Sequence, residues 1–204
     1  MPHSMTDSRD DAEMLTQEQV SRALRQRPPR LLASEARAAV ALLIDCTSQQ
    51  PQMLFIQRAV HPADPWSGHI AFPGGKYDVA DGHLQVTARR ETREEIGIDL
   101  SSAKCLGQLD DVHTSVTTIA VSAFAYAVQP PYCPQLSAEV EDCFWYSLAQ
   151  LEEPGRRTRL TLGERDFPAL SLGPQRPLLW GVTFRFVEQL LARLAELSIY
   201  PEAS

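Results

Sequence analysis

The stretch FPGGKYDVADGHLQVTARRETREEIGI, residues 72–98, constrains the fold more than any other part of the 204-residue chain. It enters through Pro73-Gly74-Gly75 and leaves through Gly97, so a helix lying between them has a marked start and stop. Ala88, Thr92 and Ile96 recur at i, i+4 and i+8, the stripe that seats a helix on a core. Beside them stand Glu91, Glu94 and Glu95, which at about 100° per residue fall within roughly 100° of one helix face. Like charges packed that closely repel unless a cation neutralises them. Hard divalent ions such as Mg²⁺ or Mn²⁺ take several carboxylate oxygens and bridge to substrate phosphates. The chemistry implied is a metal-assisted attack on a phosphate chain. A solvated, salt-bridged helix is the plainer reading, and the i,i+4 pair Arg90–Glu94 suits it. That reading leaves the Gly-Gly entry and the Gly97 exit unexplained.

Ahead of this stretch, residues 1–13 are polar and acidic without periodicity and read as a frayed terminus. Thr16 is a predicted N-cap, with Val20, Ala23 and Leu24 on one face of a short helix that Pro28-Pro29 stops. The Arg25–Arg30 cluster reads as a solvated helix end, with contact to an anionic ligand as the alternative. Ala38–Cys46 and Gln52–Arg58 are short apolar runs that predict a strand hairpin. The loop that follows carries Trp66, read as packing or base stacking, and His69, read as a loop anchor or a substrate contact. Arg58 is equally a structural ion pair or a phosphate contact.

After the charged helix, Val116–Val128 is β-branched and aromatic and predicts a central strand. Asp110-Asp111-Val112-His113 before it reads as an Asx-type turn or as a metal or substrate contact. Glu139–Trp145 is an acidic stretch running into aromatic residues, Ser147–Glu152 predicts a short helix, and residues 156–173 a hairpin. The last helix opens at Leu179-Trp180-Gly181-Val182-Thr183 and buries Val182, Phe186, Leu190 and Leu194, with Trp180 in the core.

A formal charge of −7 argues against bulk binding of nucleic acid. No apolar run approaches the roughly 20 residues of a membrane span and no signal-like pattern opens the chain, so the expected location is cytoplasmic. Four cysteines without close ligand spacing predict reduced, mostly buried thiols instead of a zinc site. The five histidines form no HxxH or HExxH pattern.

Arg90-Glu91-Thr92-Arg93-Glu94-Glu95-Ile96-Gly97-Ile98 resembles the second half of the Nudix box, with Gly75 in register ahead of it. Three departures stand out: the early acid is Asp81, eight residues separate it from Arg90, and Thr92 replaces an apolar residue. The Asp81 spacing, the Phe72-Pro-Gly-Gly context and the Trp180-Gly-x-Thr helix start resemble the coenzyme A pyrophosphatase-like branch of that family. The basic residue expected in the loop before it is absent, and Ala63-Asp64 stand in its place. The resemblance implies an α/β (α+β) Nudix fold, a mixed sheet sandwiched between helices, over residues 36–200, with 1–35 as an N-terminal extension. It implies Mg²⁺ or Mn²⁺ held by Glu91, Glu95, Glu94 and the Gly75 carbonyl, with Arg90 orienting a metal-bound glutamate. Arg58, His69, Gly74, Lys76, Glu139 and Glu141 are the implied substrate contacts, the last two also candidates for an extra metal ligand or base. The implied substrate is a small-molecule nucleotide: coenzyme A or acyl-coenzyme A first, then nucleoside di- or triphosphates, ADP-ribose or dinucleotides. A non-catalytic Nudix sensor is the remaining alternative, and homodimerisation is common in the family.

Overall fold

In the computed structural model, which describes residues 15–61, 66–114, 118–130 and 132–197, Thr16 starts the first helix. Its backbone N–H donates to Gln19 Oε1 at 2.7 Å and its hydroxyl accepts from the Gln19 N–H at 3.2 Å, a reciprocal capping box. Helix α1 (Gln17–Arg25) buries Val20, Ala23 and Leu24, the face predicted for it. Then come β1 (Arg37–Asp45), β2 (Gln52–Arg58), β3 (Ile70–Ala71), β4 (Gly74–Lys76) and α2 (Leu84–Ile96). Strands β5 (Lys104–Gln108), β6 (Val112–His113), β7 (Ala120–Val128) and β8 (Val140–Ser147) follow, with α3 (Leu148–Glu152). The chain finishes as β9 (Arg157–Leu162), β10 (Arg165–Leu170), β11 (Leu179–Trp180) and α4 (Gly181–Ala195).

Strands β1 and β7 lie parallel along all nine residues of each and form the centre of an eight-stranded mixed sheet. Both are apolar without alternation because both faces are covered, as parallel strands require. Alternate side chains go to opposite faces. Leu43, Leu54, Ile56 and Tyr126 pack with Ala88 and Ile96 of α2. Leu42, Met53, Phe55 and Ala125 pack on the other side with α1 and with Phe186, Leu190 and Leu194 of α4. This is the mixed sheet between helices that the sequence predicts.

Several expectations change in detail. The β1–β2 hairpin is paired only at Ile44–Met53 and Asp45–Gln52. Farther along β1, Ala38, Ala39 and Val40 pair instead with β4, while β2 runs on between β3 and β8. The sheet is therefore forked, and the Gly74–Gly75 segment is itself a strand at the fork. The central strand begins at Ala120, with residues 116–117 of the predicted run outside those described. The 156–173 hairpin is joined by β11 into a separate three-stranded sheet, which sequence alternation alone did not separate from the main one. Among the cysteines, Cys46, Cys105 and Cys143 are half-buried and Cys133 is exposed, all as free thiols, so the prediction of mostly buried thiols is corrected. The predicted frayed segment 1–13 and the Ala63-Asp64 pair lie outside the described residues.

The N-terminal segment does not hang free of the domain. Arg27 donates twice to Asp110, at 2.9 and 2.8 Å, and the Arg30 N–H donates to the same carboxylate at 2.9 Å. Arg193 of α4 reaches it at 2.8 Å, and Leu32 N–H binds Asp111, which also accepts from Ser122. The structure adds a tertiary role that neither segment showed in the sequence. The Asp110 and Asp111 carboxylates accept from distant segments instead of closing an Asx turn, and Arg27, though half-exposed, is ion-paired. They tie two distant stretches of chain to one loop.

Candidate active site

Helix α2 has no side-chain N-cap, and its C-terminus is closed by Gly97, whose φ of 72° is the left-handed conformation that glycine adopts without strain. The Gly97 N–H donates to Arg93 O, while Gln135 and Ser137 amides donate to Ile96 and Glu95 carbonyls. Inside the helix, Thr92 Oγ1 donates to Ala88 O at 2.7 Å, which lets a hydroxyl occupy an apolar stripe without an unsatisfied donor.

The three glutamates do not share one fate. Glu95 is buried at 5% side-chain exposure, Glu91 has 18%, and Glu94 faces solvent at 58%. The Gly74 N–H donates to Glu95 Oε2 at 2.8 Å, and Arg58 Nη1 lies 3.9 Å from Oε1. Burial outweighs these two partners and lifts the Glu95 carboxyl to about 7. Burial likewise raises Glu91 against the pull of Arg90. Arg90 Nη1 donates to Glu91 at 2.8 Å and to Glu94 at 2.9 Å. Its other edge is forked onto Asp81 at 2.9 and 3.0 Å, and Thr87 Oγ1 also donates to Asp81 at 2.8 Å. The guanidinium holds Asp81 down to about 2. Arg90 is thus fixed at its back by Asp81 and presents Glu91 from its front.

Glycine is required where β4 meets this helix. A Cβ on Gly75 would lie 2.4 Å from Glu91 Cδ, and one on Gly74 would lie 2.3 Å from the Ala39 carbonyl oxygen. Of the two acids in the lead-in to β8, Glu139 adds a small upward push to both Glu91 and Glu95. Glu141 instead accepts from Gln57 Nε2 at 3.5 Å. His69 is placed against Trp180 with ring centroids 5.0 Å apart, and its backbone pairs with Arg58 and Trp66. Trp180 is not core, contrary to expectation. Together with Phe167, 5.3 Å away, it walls a cleft of about 480 Å³ that also takes in Gly75, Lys76, Arg58, Trp66 and His69.

Comparison with known proteins fits this geometry. The NUDIX domain profile matches residues 35–168. The chain belongs to the Nudix hydrolase family. An uncharacterised protein of Schizosaccharomyces pombe is 39% identical over 122 residues, 55% of this chain but only 36% of that protein. The human mitochondrial coenzyme A diphosphatase NUDT8 is 32% identical over 178 residues, covering 81% of this chain and 72% of its own. Among solved structures, a MutT/nudix family protein from Enterococcus faecalis superposes with a TM-score of 0.55 at 14% identity, over 95% of this chain and 76% of that one. This Nudix chain is accordingly a pyrophosphohydrolase by class.

Nudix hydrolases as a family use divalent metal ions, so the donor set can be tested for fit. Among the described residues no three His, Cys, Asp or Glu side chains converge to cage an ion unaided. Glu91, Glu95 and the adjoining Gly75 carbonyl are all hard oxygen donors, and Mg²⁺ characteristically takes one or two carboxylates and completes its shell with water and substrate phosphate. The residues fit on those terms, with Glu94 turned outward onto Arg90. Sequence reasoning missed Asp81 as the seat of Arg90, and it missed the hairpin side of the cleft. The i,i+2 spacing of Arg165 and Phe167 on one strand face was the signal available.

Proposed function

We propose that this Nudix hydrolase cleaves the diphosphate of coenzyme A or acyl-coenzyme A, releasing 3′,5′-ADP and the 4′-phosphopantetheine moiety. The observation that carries the reading is the cleft. Gly75, whose Cα abuts Glu91, and Arg58, 3.9 Å from the buried Glu95, line it on the side of the acids, and His69, Trp180 and Phe167 line it with an aromatic wall. The kinship with a coenzyme A diphosphatase supports the substrate class. The cation held by Glu91, Glu95 and the Gly75 carbonyl would neutralise the diphosphate and lower the pKa of the attacking water. Arg90 keeps Glu91 turned toward β4, with Asp81 absorbing the rest of its charge. Lys76, which lines the cleft, would offer its ammonium to the substrate's phosphates. Glu139, outside α2, would take the proton of the attacking water, a role that its like-charge effect on both acids supports.

The test is phosphate-product release with Mg²⁺ and with Mn²⁺ across coenzyme A, acyl-coenzyme A, NADH, ADP-ribose, diadenosine polyphosphates and nucleoside triphosphates. Coenzyme A thioesters or free coenzyme A should lead, chelation by EDTA should abolish turnover, and Glu95→Gln should reduce it at least about a hundredfold. Gln keeps an oxygen for the Gly74 amide, so the fold should survive the change. A different nucleotide leading the panel overturns the substrate class, and silence across it with tight binding of one member makes the chain a sensor.

A further inference from the structure

We infer that Arg165 is a specificity residue that grips a phosphate monoester carried by the substrate in addition to its diphosphate, the group found on a nucleoside 3′-phosphate. The inference rests on the diphosphate-hydrolase reading above and names what the far end of the same cleft recognises. Three cations line the cleft, and their positions separate their tasks. Arg58 lies 3.9 Å from Glu95, so its charge is directed at the buried acid. Lys76 follows Gly75 in β4 and lines the cleft from the strand face opposite the one that meets Glu91. Arg165 comes from the three-stranded sheet, across the cleft from β4.

An exposed arginine near a hairpin turn is ordinarily just solvated. Two observations set this one apart. First, its strand face is turned to the cleft. Arg165 shares that face with Phe167, two residues on, and is cross-strand partner to Leu162, an apolar side chain left 46% exposed, and all three line the cleft. Second, the other arginines of the hairpin strands are already matched. Arg159 is 3.4 Å from Asp166, whereas Arg165 has no ion pair or side-chain hydrogen bond among the described residues. A guanidinium beside an aromatic wall suits a phosphate attached near a flat ring, because its donors fork onto phosphate oxygens. The cation that the sequence lacks in the loop before the box is thereby provided from a different part of the chain.

The experiment is calorimetric titration in Mg²⁺ of 3′,5′-ADP and of 5′-AMP, neither of which has a diphosphate to cleave. The wild-type chain should bind 3′,5′-ADP about tenfold more tightly, the worth of one charge-assisted contact. Arg165→Ala should bring that ratio to about one, Arg165→Lys should recover part of it, and Arg159→Ala should leave it intact. A wild-type ratio near one, or a ratio that persists in Arg165→Ala, overturns the inference. Coenzyme A turnover is measured separately. Its absence, with the ratio present and dependent on Arg165, would sink the substrate reading and leave this one standing.

Discussion

Gly75 and Glu91 meet with no space between them, since any Cβ at position 75 would lie within 2.7 Å of all three carboxyl atoms. Gly75→Ala must therefore rotate or displace Glu91. The expected result is a fall in kcat of about a hundredfold, the scale of a misplacement near 1 Å, with a loss of about 1–3 kcal/mol in urea unfolding. A variant retaining wild-type kcat would remove Glu91 from the site. At this scale the sequence carried much of the answer, because a one-face cluster of acids is plain from spacing alone. It could not say which acids turn inward. That choice is made by Arg90, which draws Glu94 out to solvent, and by the Gly74 amide, which draws Glu95 in. The role of Asp81 was hidden because its partner is two-sided: spacing shows that Arg90 can reach Glu94, not that its other edge is already taken.

Between elements, the decisive contact is Asp110, which joins α1's trailing segment to α4 through Arg27 and Arg193. Arg193 is only 3% exposed, so Asp110→Ala leaves a buried cation unpaired and should cost about 3–5 kcal/mol in urea unfolding. Arg27→Ala removes a partner that is 52% exposed and should cost about 1 kcal/mol or less. These arginines hold the Asp110 carboxyl down to about 2, led by the Arg27 hydrogen bonds, and Asp81 is held equally low. A carboxyl depressed in the folded state contributes stability above its unfolded value, near 4, and loses that contribution as pH falls toward 2. Unfolding free energy should thus decline between about pH 4 and pH 2, and less steeply in Asp110→Ala; a parallel decline in the variant would contradict the assignment. None of this was legible beforehand, since the partners lie about 80 residues apart in sequence. The helices themselves were legible, because caps and apolar stripes are local.

For the whole molecule, the sheet between helices follows from apolar runs too continuous for a one-sided strand, and that reading needed no tertiary information. The forked pairing of β1 and the second sheet did, because strand partners are chosen by register and not by composition. The misplacement of Trp180 has the same origin. An aromatic at a helix start looks like core until the hairpin that stands opposite it is known.

The parallel pairing of β1 with β7 also sets a timetable. Arg37 meets Ala120 across 83 residues of chain, and β4, with α2 behind it, hangs from the same strand β1. A pair so distant forms only after a large loop has closed, the condition for folding in milliseconds to seconds instead of microseconds. Local helices gain their signal first, whereas the junction of Gly75 with Glu91 exists only once the centre of the sheet is complete. On dilution from urea, far-ultraviolet ellipticity should recover ahead of hydrolytic activity, and simultaneous recovery would show that helices, sheet and site form in one step.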